Sequence, residues 1–207
     1  MNRDMRGVMG LSAAHLVIDL YSPVLPAVLP LLIADQGYSF LMGGLLVTAY
    51  NLTSSMAQPP IGWLFDRRGK GIHIGYSLIL SATFISLIGI APEFSVLALF
   101  AMLAALGHAT FHPSALASVG TVASDVNRGR LMSYFVVGGN LGYAIGPLLA
   151  GVVVAAMGLQ GLLALLVPGY AMAILLHYIL PAPLSDRPAP LHPIPDAPTA
   201  PIRPVPI

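Results

Sequence analysis

Two pairs of ionisable side chains sit inside apolar stretches, where charge is expensive. His15 and Asp19 lie four residues apart in HLVID, and His108 and His112 lie four apart in HATFH. On a helix that spacing places both members of a pair on one face. Asp19 is the only carboxylate well inside an apolar run. A carboxylate bordering a watery cavity can take up and release a proton, with its affinity tuned by His15 and by partial loss of water. The plainer reading is that His15 and Asp19 satisfy each other as a packing pair. The HxxxH spacing also suits a metal, but two histidines with no nearby acidic or cysteine ligand make a poor set, so no metal is expected. Prolines flank both pairs. Pro23, Pro26 and Pro30 follow Asp19, and Pro113 follows His112, where it removes a backbone hydrogen bond and frees the carbonyl of Ala109.

The elements that carry these pairs must cross a bilayer. Of 207 residues only 8% are charged and 57% are apolar, whereas a soluble domain has roughly 25% charged residues. A spanning helix needs about 20 predominantly apolar residues. Such runs occur at about Met9 to Ile33, Phe40 to Phe65, Ile72 to Ala91, Phe94 to Gly120, Leu131 to Met157 and Gly161 to Leu180. The first is longer than a cleavable signal core and carries His15, Asp19 and three prolines, so it reads as a span. The expected fold is an all-α membrane protein whose six transmembrane helices form two repeats of three. The first helix of each repeat then carries an ionisable pair near a proline. Corresponding interrupted helices of two repeats often build a midplane substrate site.

The turn Pro59 to Gly71, PPIGWLFDRRGKG, concentrates Asp66, Arg67, Arg68 and Lys70 between two apolar runs. Basic turns collect on the cytoplasmic side. With six spans, all nine basic residues fall on that side: Arg3 and Arg6, then Arg67, Arg68 and Lys70, then Arg128 and Arg130, then Arg187 and Arg203. Both termini are therefore expected in the cytoplasm and the bundle in the inner (plasma) membrane. The basic residues are too few and scattered to suggest a nucleic-acid partner. The absence of cysteine excludes disulfides and thiolate chemistry. Residues 1–180 form the bundle. The stretch 181–207 has ten prolines and no apolar run, and it reads as an extended cytoplasmic tail or linker in preference to an SH3-type ligand.

Three further features accompany the ionisable pairs. Thr48, Asn51, Ser55 and Gln58 make a polar stripe on the second span, of a kind that glues helices more often than it binds solute. The fifth span carries Gly138, Gly139, Gly142, Gly146, Pro147 and Gly151, with Asn140 among them. Its GxxxG face admits a close helix neighbour and can serve as a pivot. His177 sits near the end of the sixth span and reads as an interfacial residue.

These motifs carry a resemblance. Gly62, Asp66, Arg67, Gly69 and Lys70 match the G-x-x-x-D-R-x-G-R/K-R/K signature between helices two and three of the major facilitator superfamily, with Gly71 in place of the second basic residue. The segment GGNLGYAIGPLLAG is similar to a glycine and proline motif of proton-driven drug exporters. More narrowly, His15 to Asp19, Ser54-Ser55-x-x-Gln58-Pro59, Phe111-His112-Pro113, and Gly138-Gly139-Asn140 through Gly146-Pro147 together resemble the fosmidomycin resistance exporters. Ser114 stands where that family often has an acidic residue, and Ile18 where it commonly has Asn.

The resemblance implies antiport of protons against a small drug-like or phosphonate-like solute by alternating access, without a cofactor. Asp19, His15, His108 and His112 would carry protons or solute, with Asn140, Asn51 and Gln58 lining the path. Gly62, Asp66, Arg67, Gly69 and Lys70 would form the cytoplasmic gate, and Gly138, Gly139, Gly142, Gly146 and Pro147 the packing pivot. Superfamily members have twelve helices in two halves, so the chain is expected to be the N-terminal half. It then needs a separate C-terminal half or a second copy as its partner, with a non-transporting fragment or scaffold as the alternative. An enzyme is the rival class. Rhomboid-like proteases need a G-x-S-G nucleophile, which Ser114 and Ser118 do not have, and di-iron oxidases need more histidine boxes than six histidines supply.

Overall fold

The computed structural model describes residues 3–68, 72–122 and 128–179. Gly69, Lys70 and the tail 181–207 lie outside the described residues. The helices are α1 (Arg3–Tyr21), α2 (Val24–Gln36), α3 (Phe40–Arg68), α4 (Ile74–Leu87), α5 (Phe94–Val122), α6 (Arg128–Met157) and α7 (Leu166–Ile179). A 3-10 turn, Ile88–Ile90, extends α4, and a longer 3-10 segment, Leu159–Leu165, leads into α7. The described residues therefore make six rods, the first being α1 and α2 joined at Ser22 and Pro23.

Several helix ends run past the apolar stretches. The first rod starts at Arg3 and stops at Gln36, α3 continues to Arg68, and α6 starts at Arg128. Hydropathy marks the width of the hydrocarbon layer, whereas backbone bonding carries the helix into the polar zone on either side. Gly37 and Gly158 terminate α2 and α6 at φ of 69° and 66°, a conformation glycine adopts without a Cβ clash. Among the described residues, four rods are long and apolar enough to cross a membrane: Gly7–Gln36, Phe94–Gly120, Arg128–Met157 and Leu159–Tyr178. The third rod, Ile74–Ile90, is shorter. The second has the length at 29 residues, but its threonine, asparagine, serine and glutamine dilute its apolar character.

Pro113 does not interrupt its helix, because α5 runs unbroken from Phe94 to Val122. The break comes in the first rod, where Pro23 takes a φ of −87° and ψ of 0° and α2 restarts. Asp19 thus lies less than one turn before a helix end, and His112 lies in the middle of a continuous helix.

The packing has an internal symmetry. α1 lies along α6, and α3 lies along α5. If spans one to three are exchanged with spans four to six, the first of these contacts becomes the second. The same exchange relates the α4–α5 contact to the α1–α7 contact and maps the α4–α7 contact onto itself. The observed contacts thus have the two-repeat arrangement. α3, α5, α1 and α6 follow one another as neighbours, with α4 and α7 packed behind α5 and α1.

Lipid tails are as apolar as leucine, so the helices are held by close packing and by hydrogen bonds between them. Small residues permit that approach. The Ser81 hydroxyl donates to the Ala104 carbonyl at 2.7 Å and Thr110 donates to Ser77 at 2.9 Å, both joining α4 to α5. The Tyr21 hydroxyl donates to the Leu165 carbonyl at 2.9 Å. A Cβ on Gly107 would stand 2.6 Å from the Ser81 backbone nitrogen, so only glycine permits this α4–α5 crossing. Leu11, Ile18, Leu25, Leu78, Ile85 and Leu97 fill the space between the rods.

Candidate functional site

α1 and α5 bring the two ionisable pairs together. Asp19 Oδ2 lies 3.1 Å from His15 Nε2, and Asp19 Oδ1 lies 3.7 Å from His112 Nε2 and 3.9 Å from His108 Nδ1. His108 and His112 meet through their Nε2 atoms at 2.9 Å. Four residues that the sequence places on two separate helices thus form one cluster. The Asp19 side chain retains 17% of its exposure, so it is directed into the bundle yet still reachable.

The hydrogen bonds fix part of the proton count. His15 Nδ1 lies 2.8 Å from the Phe135 carbonyl, which can only accept, so Nδ1 carries a hydrogen. In a neutral ring Nε2 would then be a bare acceptor facing a carboxylate oxygen. Two acceptors at 3.1 Å repel, so the His15–Asp19 contact holds a proton, either on the imidazole or on the acid. The His108–His112 contact likewise needs one N–H between its two nitrogens. The arrangement is a short chain of groups able to hold and pass protons.

Aromatic rings fix the orientation of His15. Phe135 stacks on it with centroids 4.1 Å apart, and Phe111 lies beyond at 5.8 Å. Tyr50 from α3 faces His108 at 6.4 Å. Asp19 Oδ1 and His108 Nδ1 are buried and have no hydrogen-bond partner. Such groups are uncommon in a folded protein and mark a place where another species is expected. The sequence gives no signal for Phe135, which contributes a backbone carbonyl and a ring face, nor for Tyr50, whereas Phe111 adjoins His112 in the Phe111-His112-Pro113 motif.

The glycines of α6 have a specific task. Cβ atoms at Gly138, Gly142 and Gly146 would overlap the carbonyl oxygens of Ser12, Leu16 and Leu20, so α6 lies directly on the α1 backbone at every fourth residue. Gly139 is offset from this seam and faces the site, where a Cβ would stand 2.5 Å from His15 Cε1 and 2.6 Å from Asp19 Oδ2. Pro147 lies within α6 one residue beyond the seam and is partly buried.

Other residues singled out in the sequence stand apart from the cluster. Thr48, Asn51 and Ser55 are exposed on α3 and Gln58 is partly buried, while the neighbouring Ser54 is the serine that turns inward. Within the described chain the face carrying Thr48, Asn51 and Ser55 looks outward. Asn140 is exposed on α6. Gly62 faces Pro113 of α5, where a Cβ would sit at 3.6 Å. Asp66 and Arg67 are exposed at the end of α3, with the Arg67 guanidinium 5.0 Å from the Trp63 ring centre. The view that HxxxH lacks an acidic neighbour needs correction. Asp19, distant in sequence, arrives from α1, and His15, Asp19 and His112 offer ligand atoms all within 4.8 Å of one another.

Comparison with known proteins agrees with this architecture. The chain is 31% identical over 153 residues to the fosmidomycin resistance protein of Escherichia coli, covering 73% of this chain and 37% of that protein. It is also 31% identical over 147 residues to the uncharacterized MFS-type transporter YfnC of Bacillus subtilis, covering 71% and 36%. The chain thus spans little more than a third of these relatives. A crystal structure of a bacterial homolog of the human lysosomal transporter Spinster, inward-facing and unoccupied, superposes with a TM-score of 0.77 at 18% identity, over 91% of this chain and 44% of that one. That likeness establishes the fold. The sequence pattern of the Major Facilitator Superfamily matches residues 10–205. This multi-pass, six-rod chain, with its repeat-related contacts, belongs to the Major Facilitator Superfamily.

Proposed function

We propose that this chain is one six-helix half, the N-terminal one, of a secondary transporter that exports a small drug-like or phosphonate-like solute in exchange for protons. The observation that carries the reading is the His15–Asp19 contact, which needs a proton to exist at 3.1 Å and lies in the middle of an apolar bundle. Losing that proton leaves a carboxylate against a bare ring nitrogen, so deprotonation favours rearrangement of the cluster. His112 and His108, on the other side of Asp19, give the proton a second resting place. α1 is fixed to α6 by the glycine seam, so a change at Asp19 is transmitted to the α1–α6 pair as a unit.

Alternating access needs a second six-helix body. The outward faces of α3 and α6 combine exposed apolar residues, including Leu52, Met56, Leu141 and Leu148, with the polar Thr48, Asn51 and Asn140. Polar side chains are costly against lipid, so these faces suit a partner half or a second copy around a wet path. Asp66 would meet a helix N-terminus of that partner, where the dipole favours an anion. The alternation of basic and non-basic connections along the sequence suits a plasma-membrane protein with cytoplasmic termini. The drug-like solute rests on the likeness to the fosmidomycin resistance protein.

The test is flux in proteoliposomes holding the chain with a complementary half, or as its own dimer, with and without a pH gradient. Asp19→Asn should abolish proton-driven flux while leaving thermal unfolding close to wild type. Retained proton coupling in that variant would refute the assignment.

A further inference from the structure

We infer that the His15–Asp19–His112 cluster binds a divalent transition-metal ion. The site uses the same residues as the transport reading but does not depend on that reading. His15 Nε2, an Asp19 carboxylate oxygen and His112 Nε2 converge within 4.8 Å of one another. A tetrahedral ion with donors at about 2.0 Å requires donor separations of about 3.3 Å. His15 Nε2 lies 3.1 Å from Asp19 Oδ2 and His112 Nε2 lies 3.7 Å from Asp19 Oδ1, with one donor atom of each residue within 4.8 Å of the others, so the three side chains must draw together around the ion. Two imidazoles and one carboxylate suit zinc, cobalt or nickel better than magnesium or calcium, which prefer all-oxygen sites.

Two independent features point to a cation here. The first is the bond from His15 Nδ1 to the Phe135 carbonyl. A metal-bound histidine characteristically donates its other ring N–H to a carbonyl or carboxylate, which fixes the tautomer with the lone pair on the ligating nitrogen. His15 already makes that Nδ1 bond, with Nε2 directed at Asp19 and the ring held by Phe135, and a metal ion would take the place of the proton held in the His15–Asp19 contact. The second is Asp19 Oδ1, a buried acceptor without a hydrogen-bond donor, on the side of the carboxylate that faces His112. A buried carboxyl oxygen without a donor is costly, and a metal ion would compensate it. Three protein donors leave a further position open, as in exchangeable sites and unlike closed structural ones. His112 Nε2 now shares a hydrogen with His108 Nε2 at 2.9 Å, so ligation through His112 Nε2 would break that contact and release the His108 nitrogen.

The experiment titrates Co²⁺ alone into the full chain, purified in detergent without a polyhistidine tag, and follows the visible absorption of low-coordinate cobalt. One saturable equivalent per chain is expected. Asp19→Asn and His112→Ala should each weaken binding at least about tenfold. His177→Ala, which alters the other place where two histidine rings lie close, 6.4 Å from His73, should bind as wild type. In parallel, Zn²⁺ should raise the thermal unfolding temperature of wild type and leave that of Asp19→Asn unchanged, which separates a lost site from a lost fold. Absence of saturable binding, equal binding by Asp19→Asn and His112→Ala, or loss of binding in His177→Ala would each overturn the inference. No flux is measured, so a failure of transport leaves this result standing, and a failure to bind cobalt leaves the proton reading standing.

Discussion

Replacing Gly139 by alanine tests whether the geometry of the His15–Asp19 pair matters or only its presence. The added methyl would stand 2.5 Å from His15 Cε1 and 2.6 Å from both His15 Nε2 and Asp19 Oδ2, where ordinary contact begins at 3.4 Å. The ring and the carboxylate must therefore recede by about 0.9 Å, a displacement of the kind that overpacked sites accommodate at about 1–3 kcal/mol. His15 has little room to retreat, because Phe135 stacks on it at 4.1 Å and accepts its Nδ1 hydrogen. The 3.1 Å contact should open. Misplacing a positioned reacting group by about 1 Å costs on the order of 10²-fold in rate, and proton-coupled flux in proteoliposomes should fall by about that factor. Gly151→Ala is the control. It lies in the same helix with nothing within 4 Å of its Cβ position, and it should be neutral or slightly stabilising. Wild-type proton coupling in Gly139→Ala, with the protein folded, would refute the claim that this contact carries the proton.

Other perturbations follow from the same packing. Gly142→Ala would place a methyl on the Leu16 carbonyl oxygen and force α6 away from α1, so thermal unfolding should show a loss of about 1–3 kcal/mol, larger than for Gly151→Ala. Ser81→Ala removes the bond to the Ala104 carbonyl and should cost about 0.6 kcal/mol, the usual value for a polar contact between membrane helices, read from unfolding in detergent. Asp66→Asn, at an exposed helix end, should leave the unfolding temperature unchanged while reducing flux in the assembled transporter. An unfolding temperature lowered as far as in Gly142→Ala would instead assign Asp66 a structural role.

Much of this molecule is legible in the amino-acid sequence. Six apolar runs give six rods because a chain in hydrocarbon must satisfy its backbone internally, and a helix does so within each segment. The i, i+4 spacing of His15 with Asp19, and of His108 with His112, places each pair on one face for the same local reason. The glycine pattern of α6 announces a close neighbour. Where sequence reasoning misplaced a feature, the cause was a local rule overridden by the surroundings. Pro113 sits in an unbroken α5, and the break falls at Pro23. The sequence does not say which way the polar stripe of α3 faces, because a helix face is assigned by what packs against it and not by its own composition.

What only the tertiary structure decided is the meeting of the two pairs. Nothing in the spacing of residues 15 and 19 or 108 and 112 says that α1 and α5 will bring an acid between three histidines, that the Phe135 carbonyl will fix the tautomer of His15, or that Gly139 will leave the space they occupy. Periodicity is a property of one helix and is set by bonds between near neighbours in the chain. The cluster depends on the relative position of three helices, α1, α5 and α6, and that is set by close packing among residues far apart in the chain.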